Sequence, residues 1–434
     1  MSEFFEIAYA AASNRLCLLT GTGFSKAVSD KKAPGWQELL EEVCQLTREP
    51  EKLIKALFPE KDKALLSLEE AAQVISIELT RVGKDIHEEI AAIISKLKLA
   101  GNTGEISAFL KKYSLRVVTT NYDKLIEELV GKSECHSITP GLPVPRSQSR
   151  VKVYHVHGSV DSPQNMVVTS DDYFKFINTE SYFSRKLSTV LHENTVVILG
   201  YSLGDTNLKA ILSDYKGFSR NHFIGSNIFF VSRQKVSQPV KDYYAHCYGI
   251  RVLDGTEVES FFASLNKAMP NAELKAKTSV ENINKVIFEG RSFTDSYLQI
   301  ENSFFEIISS LAAIGLSIND KRVVIALEKI IATKIELTQV PSAWAQYEHL
   351  ARWLIYLGSI LELKGTALEE TYLKAALRSM ETMSKEYTYG YSWHAFKSWD
   401  ARWHGIVSPN RALIRQHVEL KGTRSDALAI VNKG

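Results

Sequence analysis

The segment LCLLTGTGFSKA, residues 16–27, joins an apolar run to a glycine turn and then to a helical pattern. The run LCLLT is apolar on both faces, which is typical of a strand in a parallel sheet covered by helices. Gly21 and Gly23 allow a tight turn in which the backbone passes close to an anionic group such as a pyrophosphate. The full GxGxxG pattern is absent, because Lys26 and Ala27 stand at its end, so the turn equally fits a strand–helix unit without a ligand.

The same alternation of strand and helix continues to about residue 270. Amphipathic helical stretches at 35–46, 122–130, 183–193 and 205–215 separate the apolar runs. This pattern predicts an α/β fold, a Rossmann-like doubly wound parallel sheet. The predicted strands are 16–20, 116–121, 151–157, 195–202, 228–233 and 250–253.

Two stretches depart from this alternation. Residues from about 47 to 112 show helical patterns and few strand signals, which predicts a helical insertion able to cover the ligand edge of the sheet. A polar stretch at 271–285 predicts a linker, and the mostly helical pattern after it predicts an all-α domain over 286–434. The expected domains are therefore 1–270, with the insertion, and 286–434.

Composition narrows the class of protein. The 434 residues carry a formal net charge of +2, which is too balanced to indicate nucleic-acid binding. A signal segment and an apolar run long enough to span a membrane are both missing, so we expect a soluble cytoplasmic protein. The four cysteines are scattered without a CxxC pair, and we expect no metal site.

Polar residues follow the predicted strands at several points. TTNYD (119–123) places Asn121 and Asp123 at a strand end, although an aspartate there is also a common helix cap. HVHGS (155–159) places His155 and His157 on one strand face, with His157 at the exposed end. LGYSLGDTN (199–207) and, more faintly, FVSR (230–233) repeat the arrangement. Because parallel strands bind ligands at their carboxyl ends, these polar residues are expected to face one crevice.

In this combination and order, the motifs resemble the sirtuin superfamily over roughly residues 10–260. GTGFS (21–25) corresponds to the GAG-x-S turn, TTNYD to TQN-x-D, the pair at 157–158 to the catalytic HG, and GYSLGD (200–205) to the later GTS-type turn. The zinc-ribbon cysteines of sirtuin deacetylases are missing, and VVTSDDYFKF (167–176) follows instead. The chain in this respect is similar to the divergent sirtuin-like branch of bacterial anti-phage proteins, which typically hydrolyses NAD.

The resemblance implies an NAD+ glycohydrolase, with NAD+ as substrate, that releases nicotinamide and ADP-ribose and depletes the cell of NAD. His157 would act as general base, Asn121 would orient the ribose or water, and Asp123 would bind the nicotinamide carboxamide. His155 is the rival base. The implied NAD-binding residues are Gly21, Thr22, Gly23, Ser25, Thr120, Gly200, Ser202 and Asp205.

Other functions remain open at this point. One is a regulatory subunit that binds NAD or ADP-ribose without turnover, and another is a sirtuin-like deacylase or ADP-ribosyltransferase acting on protein. The resemblance also implies a homo-oligomer and, in some relatives, a HerA-type ATPase partner. The aromatic stretch YTYGYSWHAFKSWDARWHG (387–405) predicts either a partner-binding surface or core packing in the helical domain.

Overall fold

A computed structural model describes most of the chain. The described residues are 3–59, 66–131, 133–144, 149–178, 185, 189–190, 193–201, 212 and 228–433.

Within these residues, one sheet of seven parallel strands forms the centre of the α/β part. Its order is β3-β4-β2-β1-β5-β6-β7, and the chain moves to one side of β1 with β2 and to the other with β5. This is a doubly wound arrangement, as predicted. The strands are β1 (Leu16–Thr20), β2 (Leu115–Thr119), β3 (Cys135–Ile138), β4 (Val151–His155), β5 (Thr195–Leu199), β6 (Ile228–Ser232) and β7 (Ile250–Asp254).

Helices account for most of the other described elements. In the α/β part and its insertion they are α1 (Glu3–Ala12), α2 (Thr22–Val28), α3 (Trp36–Cys44), α4 (Pro50–Leu57), α5 (Leu68–Thr80), α6 (Ile86–Ile94), α7 (Gly104–Lys112), α8 (Leu125–Val130), α9 (Ser170–Asn178) and α10 (Gln238–Tyr248). They continue with α11 (Val258–Glu289), α12 (Asp295–Leu298), α13 (Ser303–Ala313), α14 (Lys321–Leu337), α15 (Trp344–Ile360), α16 (Glu369–Glu381), α17 (Trp393–Arg402), α18 (Ser408–Lys421) and α19 (Ser425–Val431).

The sheet is covered on both faces, which explains the apolar character of its strands. Successive residues of a strand point to opposite faces. In β1, Leu16 and Leu18 belong to the core that contains α1, α7 and α11, whereas Cys17 and Leu19 belong to the core on the other face. Every residue of β1 is buried, as it must be for a strand between two helical layers.

The insertion between β1 and β2 is helical, as predicted, and has its own core. Apolar residues of α3, α5 and α6 pack together there, with Leu40, Ile75 and Ile90 fully buried. Ser67 and Asp85 cap α5 and α6 by accepting hydrogen bonds from backbone N–H groups of the first helical turn. The insertion is thus a packed helical subdomain beside the sheet.

The stretch predicted as a linker, 271–285, is helical in the structure and lies inside α11. Phe261, Phe262 and Leu265 at the start of this helix pack in the core of the α/β part, whereas Ile283 and Ile287 near its end pack in the core of the C-terminal helices. A helix that serves two cores in succession presents a largely polar outer face, which is why the segment has the composition of a linker. The division of the chain into domains stays a prediction.

Polar contacts also join the α/β part to the C-terminal helices. The Tyr9 hydroxyl lies 3.0 Å from the Ser310 hydroxyl, and Arg15 Nη1 donates a 2.7 Å hydrogen bond to the Ala312 carbonyl. These contacts join residues about 300 positions apart, so they depend on the tertiary fold alone. Among the described helices, none combines the length and apolar character that crossing a membrane requires.

Candidate active site

A cleft of about 760 Å³ opens at the carboxyl ends of the strands, around β1, where the strand order changes direction. This is where doubly wound sheets bind their ligands. Residues that follow β1, β2, β4, β5 and β6 all line this cleft. The sequence predicted that the polar residues after these strands would face one crevice. Lining residues include Thr22, Gly23, Ser25, Lys26, Thr120, Asn121, Tyr122, Asp123, His157, Gly200, Tyr201, Ser232, Arg233 and Gln234.

The glycines of the cleft allow two chain segments to cross at close range. Gly23 N–H donates a 2.7 Å hydrogen bond to the Gly200 carbonyl, and Gly21 N–H donates to the Leu199 carbonyl. A Cβ on Gly23 would lie 2.7 Å from Gly200 Cα, and Gly200 itself has a φ of +61°. The Gly-x-Gly turn is therefore required for packing against the end of β5. Of its two glycines, only Gly23 lies on the cleft wall.

Ser25 connects the two polar residues that follow β2. Its hydroxyl donates a 2.6 Å hydrogen bond to Asp123 Oδ2 and accepts a 2.8 Å hydrogen bond from Asn121 Nδ2. The amide nitrogen of Asn121 is thereby held, and its amide oxygen has no partner among the described residues. Ser25 is almost fully buried, and its hydroxyl belongs to this network.

Asp123 is buried in the wall behind this network. Burial raises the pKa of its carboxyl group, against the opposing effect of the Ser25 hydrogen bond. Its other oxygen, Oδ1, accepts a 3.1 Å hydrogen bond from Leu125 N–H at the start of α8. Asp123 therefore binds the backbone at the first residue of α8 and also lines the cleft, while its proposed contact with a ligand stays a prediction.

His157 lies two residues after the end of β4, on the wall of the cleft. Its ring has edge-on contacts with Tyr173 and Phe176 of α9, each with ring centroids 5.5 Å apart. Gly158 follows with a φ of +87°, and a Cβ there would lie 2.7 Å from Met166 Cα. The HG pair thus positions an imidazole between two aromatic rings at the cleft, and the glycine is required by close packing.

His155 has a different environment, although the sequence places it on the same strand face. β4 ends at His155, two residues earlier than predicted, and its side chain is completely buried. Nδ1 lies 3.1 Å from the Asn121 carbonyl, and Nε2 lies 2.8 Å from Glu127 Oε1. Burial alone raises the pKa of Glu127, but His155 and Lys124 outweigh it and bring the pKa to about 2. His155 therefore supports the backbone of Asn121 and does not line the cleft.

The insertion contributes an apolar wall that no sequence motif indicated. Its cleft residues are Trp36, Leu39, Leu68, Ile94 and Leu97. The insertion is tied to the other wall through His87 Nε2, which lies 2.9 Å from Asp172 Oδ2. The same Asp172 oxygen accepts a 2.9 Å hydrogen bond from the N–H of Thr169, the residue before α9. Asp172 itself immediately precedes Tyr173. The pair with Asp172 raises the pKa of His87, consistent with an ion pair across this contact.

Two predicted residues, Ser202 and Asp205, lie outside the described residues. Thr22, Thr120 and Gly200, which the resemblance implied as NAD-binding residues, lie on the cleft wall together with Gly23 and Ser25. Their contact with NAD stays a prediction. In the described part of the chain, no group of three histidine, cysteine, aspartate or glutamate side chains is placed to hold a metal ion.

Comparison with known proteins shows what part of this chain is similar to. A SIR2-like domain matches residues 115–253, which include Asn121, Asp123 and His157. Defense-associated sirtuin 2 of Bacillus subtilis is 25% identical over 147 residues, 33% of this chain and 14% of that protein. The NAD(+) hydrolase ThsA of Enterococcus faecium is 34% identical over 110 residues, and ThsA of Bacillus cereus strain MSX-D12 is 31% identical over 113 residues.

The chain spans about a quarter of the length of each of these two ThsA proteins, so the likeness concerns one region of each. Residues 115–253, which match the SIR2-like domain, contain five of the seven described strands of the sheet and all but the last residue of a sixth, β7. Residues 115–253 are therefore similar to the SIR2-like domain, and in this region the chain resembles the sirtuin-like proteins.

Proposed function

We propose that this chain hydrolyses NAD+ at the bond between ribose C1′ and the nicotinamide nitrogen, releasing nicotinamide and ADP-ribose. One observation carries the proposal: Asn121, Asp123 and His157 lie on the wall of a single cleft, with Ser25 joining the first two. Two relatives are named NAD(+) hydrolases, and the SIR2-like match covers all three residues.

The chemistry needs few groups from the protein. The nicotinamide leaves as a neutral molecule, and the ribose passes through a transition state with oxocarbenium character. Catalysis therefore depends on holding the ribose, binding the carboxamide and placing a water molecule. A cleft of about 760 Å³ is large enough for a dinucleotide.

Each residue has a role that its contacts support. His157 accepts a proton from a ribose hydroxyl or from the attacking water, since a neutral imidazole is an effective base near pH 7. Asn121 directs its amide oxygen to the ribose or the water, because Ser25 holds its amide nitrogen. Asp123 accepts a hydrogen bond from the nicotinamide carboxamide.

The test is to incubate the purified chain with NAD+ and to follow nicotinamide and ADP-ribose by chromatography. We expect wild type to form both products in equal amounts. His157→Ala and Asn121→Ala should lower the rate by at least about a hundredfold while circular dichroism and thermal unfolding remain near those of wild type.

His155→Ala serves as the matched control for the histidine. It removes a buried partner of Glu127, so we expect it to lower the free energy of unfolding by about 3 kcal/mol or more. Turnover per folded molecule should fall less than with His157→Ala. Full turnover by a folded His157→Ala protein would contradict the role of His157. Binding of NAD+ by wild type without product formation would instead favour a regulatory binding module.

We further propose that NAD loss serves defence against phage, because one relative is named a defense-associated sirtuin. The homo-oligomer and the HerA-type ATPase partner stay predictions. Mass photometry of the chain alone and with a candidate ATPase tests both, and NAD turnover measured in the same mixtures tests whether assembly activates the cleft.

A further inference from the structure

A second polar cavity, of about 370 Å³, lies outside the cleft, between α10 of the SIR2-like part and α18 of the C-terminal helices. Gln238 and Asp242 of α10 form one wall, and Trp403 also lines the cavity. Gln238 Nε2 also donates a 2.8 Å hydrogen bond to the His404 carbonyl, which holds the two parts of the chain together at this cavity.

The opposite wall is one face of α18. Ser408, Arg411 and Arg415 line the cavity, and their spacing places them on the same side of the helix. Two arginines four residues apart on a helix repel each other unless other charges compensate. The cavity therefore concentrates positive charge on a surface that is partly enclosed.

The compensation is incomplete among the described residues. Arg411 Nη2 is bound to Asp242 Oδ2 at 2.6 Å, and Lys433, which also lines the cavity, is paired with Asp400. Arg415 donates from Nε to the Val431 carbonyl at 2.7 Å and has no carboxylate partner in the described part of the chain. Of the three cations that line the cavity, Arg411 and Lys433 each have a carboxylate partner, and the one without such a partner among the described residues is the exposed guanidinium of Arg415.

We propose that this cavity binds a small molecule that carries a phosphate or pyrophosphate group. A guanidinium offers two parallel N–H donors that match the oxygens of a phosphate. The Ser408 hydroxyl, on the first turn of the 14-residue helix α18, is a further donor on the same face. The volume exceeds that of a phosphate alone, so an organic group attached to it is accommodated against Gln238 and Trp403.

Isothermal titration calorimetry of the full chain with pyrophosphate, at constant ionic strength, tests the proposal. We expect saturable binding by wild type and an affinity lowered by about tenfold or more in Arg415→Gln. The matched control is Arg378→Gln, which removes an exposed arginine of α16 that does not line the cavity and should bind as wild type does.

Three results would overturn the proposal. They are the absence of binding at millimolar pyrophosphate, equal affinities of wild type and Arg415→Gln, and equal losses in Arg415→Gln and Arg378→Gln. The last would indicate nonspecific attraction to net charge. None of these outcomes depends on NAD turnover, because the cavity shares no residue with the cleft.

Discussion

At the scale of single residues, the hydroxyl of Ser25 organises the proposed active site. It is the only group among the described residues that contacts both the Asn121 amide and the Asp123 carboxylate. A hydroxyl can do this because it donates one hydrogen bond and accepts others. Its loss would free the Asn121 side chain to rotate and leave a buried carboxylate oxygen without its hydrogen bond.

Ser25→Ala should therefore impair turnover more than folding. We expect kcat for NAD+ hydrolysis to fall by about tenfold to a hundredfold, because a small displacement of a positioning group is costly in catalysis. Unfolding by denaturant should show a loss of about 1–3 kcal/mol.

Ser29→Ala is the control for this substitution. Ser29 is equally buried and forms two hydrogen bonds, to the Ser25 carbonyl and from Ala33 N–H. We expect a similar loss of stability with a much smaller loss of kcat. Equal losses of kcat in the two variants would mean that Ser25 acts through packing alone.

At the scale of elements, the crossing of the β1–α2 turn over the end of β5 determines the shape of the cleft. A Cβ on Gly200 would overlap the backbone nitrogen of Phe24 and approach Gly23. Gly200 also has a left-handed φ of +61°. Both features require glycine, and neither involves a ligand.

Gly200→Ala should therefore lower the free energy of unfolding much more than a glycine-to-alanine change at a site where the positive φ is the only obstacle. We expect a loss of about 3 kcal/mol or more in the free energy of unfolding, from overlap and strain together. Gly290→Ala has a similar φ of +69° at the end of α11, with open space around its Cβ, and should cost about 1–2 kcal/mol. Denaturant titration of both variants measures the difference. Equal losses would contradict the close crossing.

At the scale of the whole molecule, the C-terminal helices form a second core that contains a buried ammonium group. Lys334 of α14 is completely buried, and its Nζ donates hydrogen bonds to the Leu298 carbonyl at 2.8 Å and to Gln346 Oε1 at 2.6 Å. The Trp353 ring lies 4.2 Å from the same atom. Burial lowers the pKa of Lys334 to about 7, although Glu301 acts in the opposite direction.

This lowered pKa predicts stability that increases in alkaline solution. An unfolded lysine has a pKa near 10.4, so between about pH 7 and pH 10 the unfolded chain binds more protons than the folded chain. Folding is therefore favoured increasingly as the pH rises through that window, by up to about 1.4 kcal/mol per pH unit from this group. Below about pH 7 the lysine is protonated in both the folded and the unfolded chain. Burial of the charged ammonium then lowers the free energy of unfolding by its full amount.

Lys334→Met should remove this slope and stabilise the protein most near pH 7 and below. Lys329→Met, which replaces an exposed lysine of the same helix, should leave the slope unchanged. The measurement is the free energy of unfolding of each variant from pH 6 to pH 10. A wild-type slope that persists in Lys334→Met would show that another group is responsible.

Much of the fold and of the candidate site is predictable because the relevant signals are local. An apolar run followed by a turn and a helix indicates a strand–helix unit over a short stretch of chain, and six of the seven described strands were predicted from their apolar runs. The remaining strand, Cys135–Ile138, is short and half polar, with His136 and Ser137 in its middle, so it lacks a strand signal. The sequence predicted an insertion able to cover this edge but not which of its residues line the cleft, because an apolar residue such as Trp36 has the same appearance in a cleft as in a core.

The sequence by itself determined the alternation of strands and helices, the helical insertion and the polar residues at the strand ends, since each depends on neighbours in the chain. Only the tertiary structure decided that the rival His155 is buried against Glu127, because β4 ends at His155 and the next turn carries His157 into contact with α9. It also decided the role of Ser25, whose hydroxyl reaches a carboxylate 98 residues away. Such contacts form only when distant strands lie side by side, and no local pattern encodes them.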